Sequence, residues 1–159
     1  MQKPTKYRAK KAVVVNGEAV PYSKEIHKQN HKIFDSLAEA KFYVHLVYGL
    51  NLSEGADFTL QPVFTLQPEY THKGKKIQPI KYVADFMIGM DVIDVKGMAT
   101  PQFKMKAKMF NYIHGDQFNL WVIKEMGRKG DKKWVMDTGK KKGKIQYEQY
   151  LTPQEKGVM

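Results

Sequence analysis

Residues 82–97, with the sequence YVADFMIGMDVIDVKG, carry two aspartates and a lysine on a segment whose pattern is typical of a β-hairpin. The first half is rich in β-branched and aromatic residues, Gly89 interrupts the run, and the second half resumes it. This pattern predicts a strand, a tight turn and a second strand. The hairpin constrains the fold strongly, because its register decides which side chains share a face.

Side chains alternate between the two faces of a strand, so the loop decides how the polar residues meet. A two-residue loop is either Gly89-Met90 or Met90-Asp91. Asp85 then lies opposite Asp94 in the first register and opposite Lys96 in the second. Both registers place the three polar side chains on one face of the hairpin.

Two aspartates on one hairpin face predict a metal site. Cross-strand neighbours have Cβ atoms roughly 4.5 to 5.5 Å apart. Two carboxylates that close repel each other unless a cation or a shared proton intervenes, and their hard oxygen atoms suit Mg²⁺ or Mn²⁺. The alternative is structural, because Asp85 could form an ion pair with Lys96 and bind no metal.

The spacing of Asp85 and the later Asp94-Val95-Lys96 resembles the active-site signature of the PD-(D/E)XK nuclease superfamily. Ala84 stands where a proline often precedes the first acid, and Asp94 stands where Glu is frequent; neither change removes a ligand oxygen. The runs F-D-S-x-x-E-A, L-Q-P, Y-x-A-D-F and D-V-K-G look like those of small phage-encoded nucleases of this superfamily, including proteins similar to Holliday-junction resolvases. The resemblance covers roughly residues 32–125.

This resemblance implies a restriction-endonuclease-like core of mixed α/β (α+β) class, which runs helix, three antiparallel strands, helix, strand. The sequence predicts a helix at 34–50, a strand at 58–67, the hairpin, a helix at 101–114 and a strand at 118–126. We therefore expect a core at residues 33–138. A basic N-terminal arm at 1–32, with a hairpin around an Asn-Gly turn, and a basic polar tail at 139–159 would flank it.

The resemblance also implies roles for individual residues. One or two Mg²⁺ or Mn²⁺ ions would be held by Glu39, Asp85, Asp94 and the backbone carbonyl of Val95. Lys96 would orient the attacking water or stabilise the charge that develops on the phosphate. Gln67 and Tyr82 would contact these ligands without binding the metal themselves.

Glu39 also has a simpler interpretation. The run Ser36-Leu37-Ala38-Glu39 is a capping box, in which the Glu39 side chain would bond back to the amide of Ser36. Against this, Phe42 and Tyr43 follow at i+3 and i+4, which places Glu39 at the edge of a packing face where a carboxylate needs a partner. Both interpretations stay open from the sequence.

The charge balance indicates the kind of substrate. The chain has 27 Lys and Arg against 16 Asp and Glu, a formal net charge of +11, and its sequence pI is about 9.6. Such a balance favours a polyanion such as nucleic acid, although charge does not define a fold. On the second predicted helix, Lys104, Lys106 and Lys108 are candidate contacts to DNA phosphates, and the alternative is an ordinary solvated face.

Other features limit the cellular setting. The sequence has no cysteine, which excludes disulfides, thiolate zinc sites and a cysteine nucleophile. No apolar start segment and no apolar run of about 18 residues is present, so we expect neither secretion by that route nor a membrane span. A cytoplasmic location, in the host if the gene is phage-encoded, is the expectation.

These observations and the resemblance predict a Mg²⁺-dependent endodeoxyribonuclease. The resemblance implies that its substrate is branched DNA or a Holliday junction in phage recombination or replication. A junction needs two symmetric nicks, so we expect a homodimer with two active sites. Two alternatives remain, namely a non-catalytic DNA-binding protein and a packaging accessory protein in which the hairpin is structural.

Overall fold

The computed structural model describes residues 10–23, 31–96 and 98–157 of the 159-residue chain. Residues 1–9 and 24–30 of the predicted basic arm, Gly97 of the D-V-K-G run and residues 158–159 of the predicted tail lie outside this part. The chain divides into two compact units, Met1–Ser53 and Glu54–Met159. The division falls after the first helix, whereas the sequence analysis places the first boundary at residue 32.

The first unit combines a small antiparallel sheet with a helix. Its elements are β1 (Ala12–Val15), β2 (Glu18–Pro21), β3 (Ile33–Phe34), α1 (Leu37–Val44) and a π-helical turn (His45–Gly49). The predicted hairpin is β1 and β2, and Asn16 and Gly17 adopt the positive φ angles of 50° and 79° that its tight turn requires. Ala12, Phe34 and Ala40 form the buried core of this unit.

The helix predicted at 34–50 begins later and changes character before its end. Residues 33–34 pair with β1 as a strand, and Ser36 caps the helix by accepting a hydrogen bond from the Glu39 amide at 3.1 Å. At the other end, the Leu50 amide bonds to the carbonyl of His45, five residues earlier, at 2.9 Å. The sequence signals for a helix start were therefore correct at Ser36, while the last turn widens into a π-helix.

The second unit is built around a six-stranded sheet. Its elements are β4 (Thr59–Leu60), β5 (Val63–Gln67), β6 (Tyr70–His72), β7 (Lys75–Ile77), β8 (Ile80–Val83), β9 (Phe86–Ile88), β10 (Asp91–Val95), α2 (Pro101–His114), β11 (Asn119–Arg128), β12 (Asp131–Lys141) and β13 (Lys144–Gln149). The sheet order is β13-β12-β11-β10-β9-β4. β10 and β11 are parallel and joined through α2, and the other neighbours are antiparallel. β5 with β8 and β6 with β7 form two further ribbons. The described part of the chain is thus a mixed α+β fold.

Two predicted segments differ from the structure. The strand expected at 58–67 is two strands in different sheets, because Gln61 adopts a φ of 49° and Pro62 has no amide hydrogen to continue the ladder. The stretch 139–159, expected as a tail, contains the end of β12 and all of β13. The helix at 101–114 is confirmed, with Thr100 as its cap and Pro101 at its first position.

One face of the sheet packs against α2 and fixes the position of Tyr82. Phe110 is fully buried, with its ring 4.9 Å from that of Phe64 and 5.6 Å from that of Tyr82, and both contacts are edge-on. Val92 of β10 lies in the same cluster. This packing holds the Tyr82 ring against β10.

No helix in the described ranges is long and apolar enough to cross a membrane.

Candidate active site

The pairing of β9 with β10 gives the register of the predicted hairpin. Ile88 pairs with Asp91 across a two-residue loop, Gly89-Met90. This is the first of the two predicted registers. The ladder ends at the pair of Phe86 with Ile93, and Asp85 and Asp94 are the neighbouring residues on the two strands. The hairpin and its register therefore agree with the sequence analysis.

Asp94 is a buried carboxylate whose two oxygens have different surroundings. Its side chain is only 2% exposed, and Oδ2 accepts a hydrogen bond from the Tyr82 hydroxyl at 2.6 Å. Oδ1 lies 3.1 Å from the Lys96 ammonium, close enough for an ion pair. No hydrogen bond to Oδ1 is formed within the described part of the chain, so the ion pair with Lys96 is the polar contact of this oxygen. A buried oxygen in that state has capacity for a cation.

Asp85 lies at the bend where the chain leaves β8 and enters β9. Its backbone amide donates to the carbonyl of Ile93 at 3.0 Å, and its carboxylate Oδ2 accepts from the amide of Val95 at 2.8 Å. The side chain is half-buried. The first bond ties the Asp85 backbone to Ile93, and the second holds the Asp85 carboxylate against the amide of Val95. The two bonds thus reach the residues on either side of Asp94.

Tyr82 is the donor that orients Asp94. Burial of the hydroxyl is the main reason that its pKa is raised far above the usual range, and the charge of Asp94, the hydrogen bond to it and the charge of Asp85 raise the pKa further. The hydroxyl therefore stays protonated and keeps donating to Asp94 at neutral and alkaline pH. The sequence analysis gave Tyr82 only a supporting role, and the structure places it in direct contact with the carboxylate.

Asp94 lies in an open cleft of about 290 Å³. The cleft is lined by Lys81, Tyr82, Val83, Asp94, Lys96, Thr100, Gln102, Phe103 and Lys106. The Lys96 ammonium lies 4.8 Å from the centre of the Phe103 ring, and Lys106 donates to the carbonyl of Lys81 at 3.0 Å. Three lysines thus line the cleft around a buried carboxylate, an arrangement suited to an anionic substrate such as a phosphate.

The three predicted lysines of α2 have different positions. Lys106 lines the cleft, whereas Lys104 and Lys108 are exposed and do not line it. The sequence analysis missed Gln102, which precedes Lys106 by one helical turn and lies on the same side of α2. The i, i+4 spacing of Gln102 and Lys106 was the sequence signal that could have grouped these two residues apart from Lys104 and Lys108.

Two other predicted residues, Gln67 and Glu39, are not among the described residues that line the cleft. Gln67 pairs with Ile80 beyond a bulge in β5. Glu39 is buried in the first unit, and its amide donates to the Ser36 hydroxyl at 3.1 Å. The capping bond expected from the Glu39 side chain to the Ser36 amide stays a prediction. The part of Glu39 in metal binding stays a prediction.

Asp85 and Asp94 are the predicted metal ligands that lie in the second unit, and of the two Asp94 is among the described residues that line the cleft, whereas Asp85 is not. Across residues 10–23, 31–96 and 98–157, no three Asp, Glu, His or Cys side chains are grouped to hold a metal ion. Mg²⁺ is usually bound by one or two carboxylates together with water and substrate phosphate oxygens. The donor set at Asp94 fits that kind of site.

Comparison with known proteins gives a family but no activity. A family described as "Protein of unknown function (DUF1064)" matches residues 4–130, which is most of the chain. The chain belongs to the DUF1064 family. The DUF1064 match includes both aspartates, Lys96 and α2, and it ends in the turn before β12. No curated protein and no solved structure matches the chain.

Proposed function

We propose that the chain is a metal-dependent endodeoxyribonuclease whose active site is the cleft around Asp94. The observation that carries this proposal is the environment of the Asp94 carboxylate, with one oxygen fixed by Tyr82 and the other buried without a hydrogen-bond donor beside Lys96. Burying a charge is costly unless it is compensated, so such an arrangement is rarely kept without a purpose. The partly exposed Lys96 ammonium compensates this charge in part, and a divalent cation next to Oδ1 would add to that compensation.

In this proposal, each residue of the site has a separate role. Asp94 and Asp85 would provide the protein ligands, and Tyr82 would keep the Asp94 carboxylate in one orientation. Lys96 would donate a hydrogen bond to the phosphate or to the attacking water, which stabilises negative charge as it develops. A bound Mg²⁺ would polarise the phosphate and lower the pKa of a water molecule. Ligation by the Val95 carbonyl remains part of the resemblance to PD-(D/E)XK nucleases.

The arrangement of elements supports the same proposal. An antiparallel hairpin carries Asp85 and Asp94, and a helix then leads to a parallel strand on the other side of β10. This is the succession of strands and helix that the resemblance implies around its active site. The restriction-endonuclease-like core is part of the proposal, since a fold by itself does not fix an activity.

A non-catalytic DNA-binding protein is the second candidate. The net charge of +11 favours it as much as it favours a nuclease. A carboxylate at the bottom of a phosphate-binding cleft weakens binding unless a cation neutralises it, because like charges repel. Asp94 therefore favours the nuclease over simple binding.

The direct test is a cleavage assay with the purified full chain on linear duplex, single-stranded and four-way-junction DNA. We expect cleavage with Mg²⁺ or Mn²⁺ and none with a chelator, because the two aspartates need the cation to approach a phosphate. Sedimentation with and without the junction reports whether a dimer forms. DNA binding without cleavage under every metal condition would contradict the nuclease and favour the binding protein.

Replacing Tyr82 by phenylalanine should weaken the response to metal. The variant removes the hydroxyl that bonds Asp94 Oδ2 at 2.6 Å. Loss of a side chain that orients a metal ligand typically costs about 10- to 100-fold in metal affinity or activity. The unfolding free energy should also fall by about 1–3 kcal/mol, because a buried acceptor loses its donor. Mg²⁺ titration of cleavage and denaturant unfolding measure the two effects.

Tyr150 provides a matched control for that variant. Its hydroxyl donates to Asp91 Oδ2 at 3.1 Å, and burial together with the Asp91 charge raises its pKa in the same way. Tyr150 and Asp91 do not line the cleft. Tyr150→Phe should therefore lower stability and leave the Mg²⁺ dependence unchanged. Equal losses of metal response in the two variants would contradict the role given to Tyr82.

A further inference from the structure

The sheet face that carries Asp94 continues beyond the cleft onto β11 and β12. Asp94 pairs with Val122 in the parallel ladder, so Lys124, two residues further along β11, lies on the same face. Lys124 in turn pairs with Val135 of β12, and the next pair on this face is Met126 with Lys133. We call this surface the Asp94 face. Lys96 lies on it as well, at 3.1 Å from Asp94.

The hairpin of β11 and β12 extends past the end of β10 on the side of the cleft. The last pair between β10 and β11 is Val95 with Ile123, and β11 continues for five more residues to Arg128. At about 3.3 Å per residue, the hairpin reaches about 16 Å beyond Val95. Residues 126–133 are exposed to solvent. The hairpin therefore offers a free surface next to the cleft.

Charge distinguishes the two faces of this hairpin. Among residues 124–133, the Asp94 face carries Lys124, Arg128 and Lys133 and one acid, Asp131, which pairs with Arg128 in the ladder; none of the three cations forms an ion pair among the described residues. On the opposite face, Lys132 is paired with Glu125 at 3.3 Å. Three cations against one acid thus lie on the same face as Asp94 and Lys96.

The geometry points to the Asp94 face of the β11–β12 hairpin as a surface that binds the phosphate backbone of duplex DNA beside the cleft. This inference rests on the proposed function for the identity of its partner. Arg128 is four positions after Lys124, which corresponds to about 13 Å along the strand. A duplex carries one negative charge per about 1.7 Å of its axis, so a basic strip of this length meets several phosphates at once.

Tyr147 extends the same surface to the edge strand. Its ring lies 5.1 Å from the Lys124 ammonium, which places it on the Asp94 face of β13. It is 39% exposed and leaves room for a backbone sugar or phosphate beside the lysine. The family match ends at residue 130, so the contribution of Lys133 lies outside the region that DUF1064 describes.

The test compares two neighbouring lysines on opposite faces of one strand. The double variant Lys124→Ala with Lys133→Ala should bind a short duplex at least about tenfold more weakly, and its log-log salt slope should fall by about two, since each phosphate contact contributes about 0.9. Lys132→Ala, which removes one positive charge from the other face, should leave the slope unchanged. Fluorescence anisotropy with chelator present measures binding without cleavage, and denaturant unfolding checks that each variant folds.

The outcomes separate this inference from the proposed function. An unchanged slope in the double variant, or an equal loss in Lys132→Ala, would overturn the inference while metal-dependent cleavage by the wild-type chain still stood. A slope loss that follows the replacement of Lys104 and Lys108 instead would also overturn it and place the duplex on the exposed side of α2. If the expected slope change is seen in a protein that never cleaves DNA, the surface stands and the nuclease proposal fails.

Discussion

Replacing Asp94 by asparagine is expected to abolish DNA cleavage and to leave DNA binding largely intact. The amide keeps the shape of the carboxylate and can still accept from Tyr82, but it removes the negative charge beside Lys96 on which a cation depends. Turnover should fall by more than about 100-fold, because even residues that only support metal ligands cost 10- to 100-fold. Cleavage of a labelled duplex at saturating Mg²⁺ measures the loss.

Asp91 offers the matched control on the same strand. It accepts a hydrogen bond from Tyr150 at 3.1 Å and does not line the cleft. Asp91→Asn should keep normal turnover, whereas Asp85→Asn should lose activity in the same direction as Asp94→Asn. The fold of Asp94→Asn should survive, because a neutral amide costs less to bury than a charge. Undiminished turnover of Asp94→Asn, or an equal loss in Asp91→Asn, would remove Asp94 from the active site.

The hairpin with the two aspartates could be predicted because its information is local. Alternation of side chains and the glycine at 89 predicted the two strands and a two-residue loop but left two registers open, and the pairing of Ile88 with Asp91 is the first of them. The second helix was predictable for the same reason, since Thr100 and Pro101 mark its start. Both signals act between residues that are close in sequence.

The contact between Tyr82 and Asp94 could not be predicted in this way. Tyr82 belongs to β8, which pairs with β5 outside the six-stranded sheet, and Asp94 lies on β10 inside it. The two side chains meet because the chain bends at Asp85 and because Phe110 of α2 packs against the Tyr82 ring. Periodicity assigns a face to each residue, but it does not say how separate sheets pack.

The missed strand β13 has a different cause. The run GKKKGK at 139–144 dominates the composition, and it suggested a solvated tail. The structure uses Lys142 and Gly143, both with positive φ, as the turn between β12 and β13. Ile145 and Tyr147, two residues apart, carried the alternation of a strand. The lysine-rich turn outweighed this short strand pattern, and the segment was therefore predicted as a tail.

Replacing Lys96 by glutamine should lower the turnover number by about 10² to 10³, the usual cost of losing one donor to a developing negative charge. The Lys96 ammonium contacts Asp94 at 3.1 Å and the Phe103 ring at 4.8 Å, and the side chain remains 35% exposed toward the cleft. It is therefore both held in place and accessible to a phosphate. Lys81→Gln is the control, because Lys81 also lines the cleft but has no ion pair with Asp94 among the described residues.

This variant also decides between catalysis and a purely structural ion pair. If Lys96 only compensates the buried Asp94, its removal should cost about 3–5 kcal/mol of unfolding free energy and leave the turnover of the folded fraction unchanged. We expect instead a small loss of unfolding free energy and a large loss of turnover. Stability should change little because Tyr82 still donates to Asp94 and water can reach the partly exposed position of the ammonium. Turnover per folded molecule, measured together with denaturant unfolding, separates the two. A large loss of stability with normal turnover would make Lys96 a structural residue and leave the metal ligands to act without it.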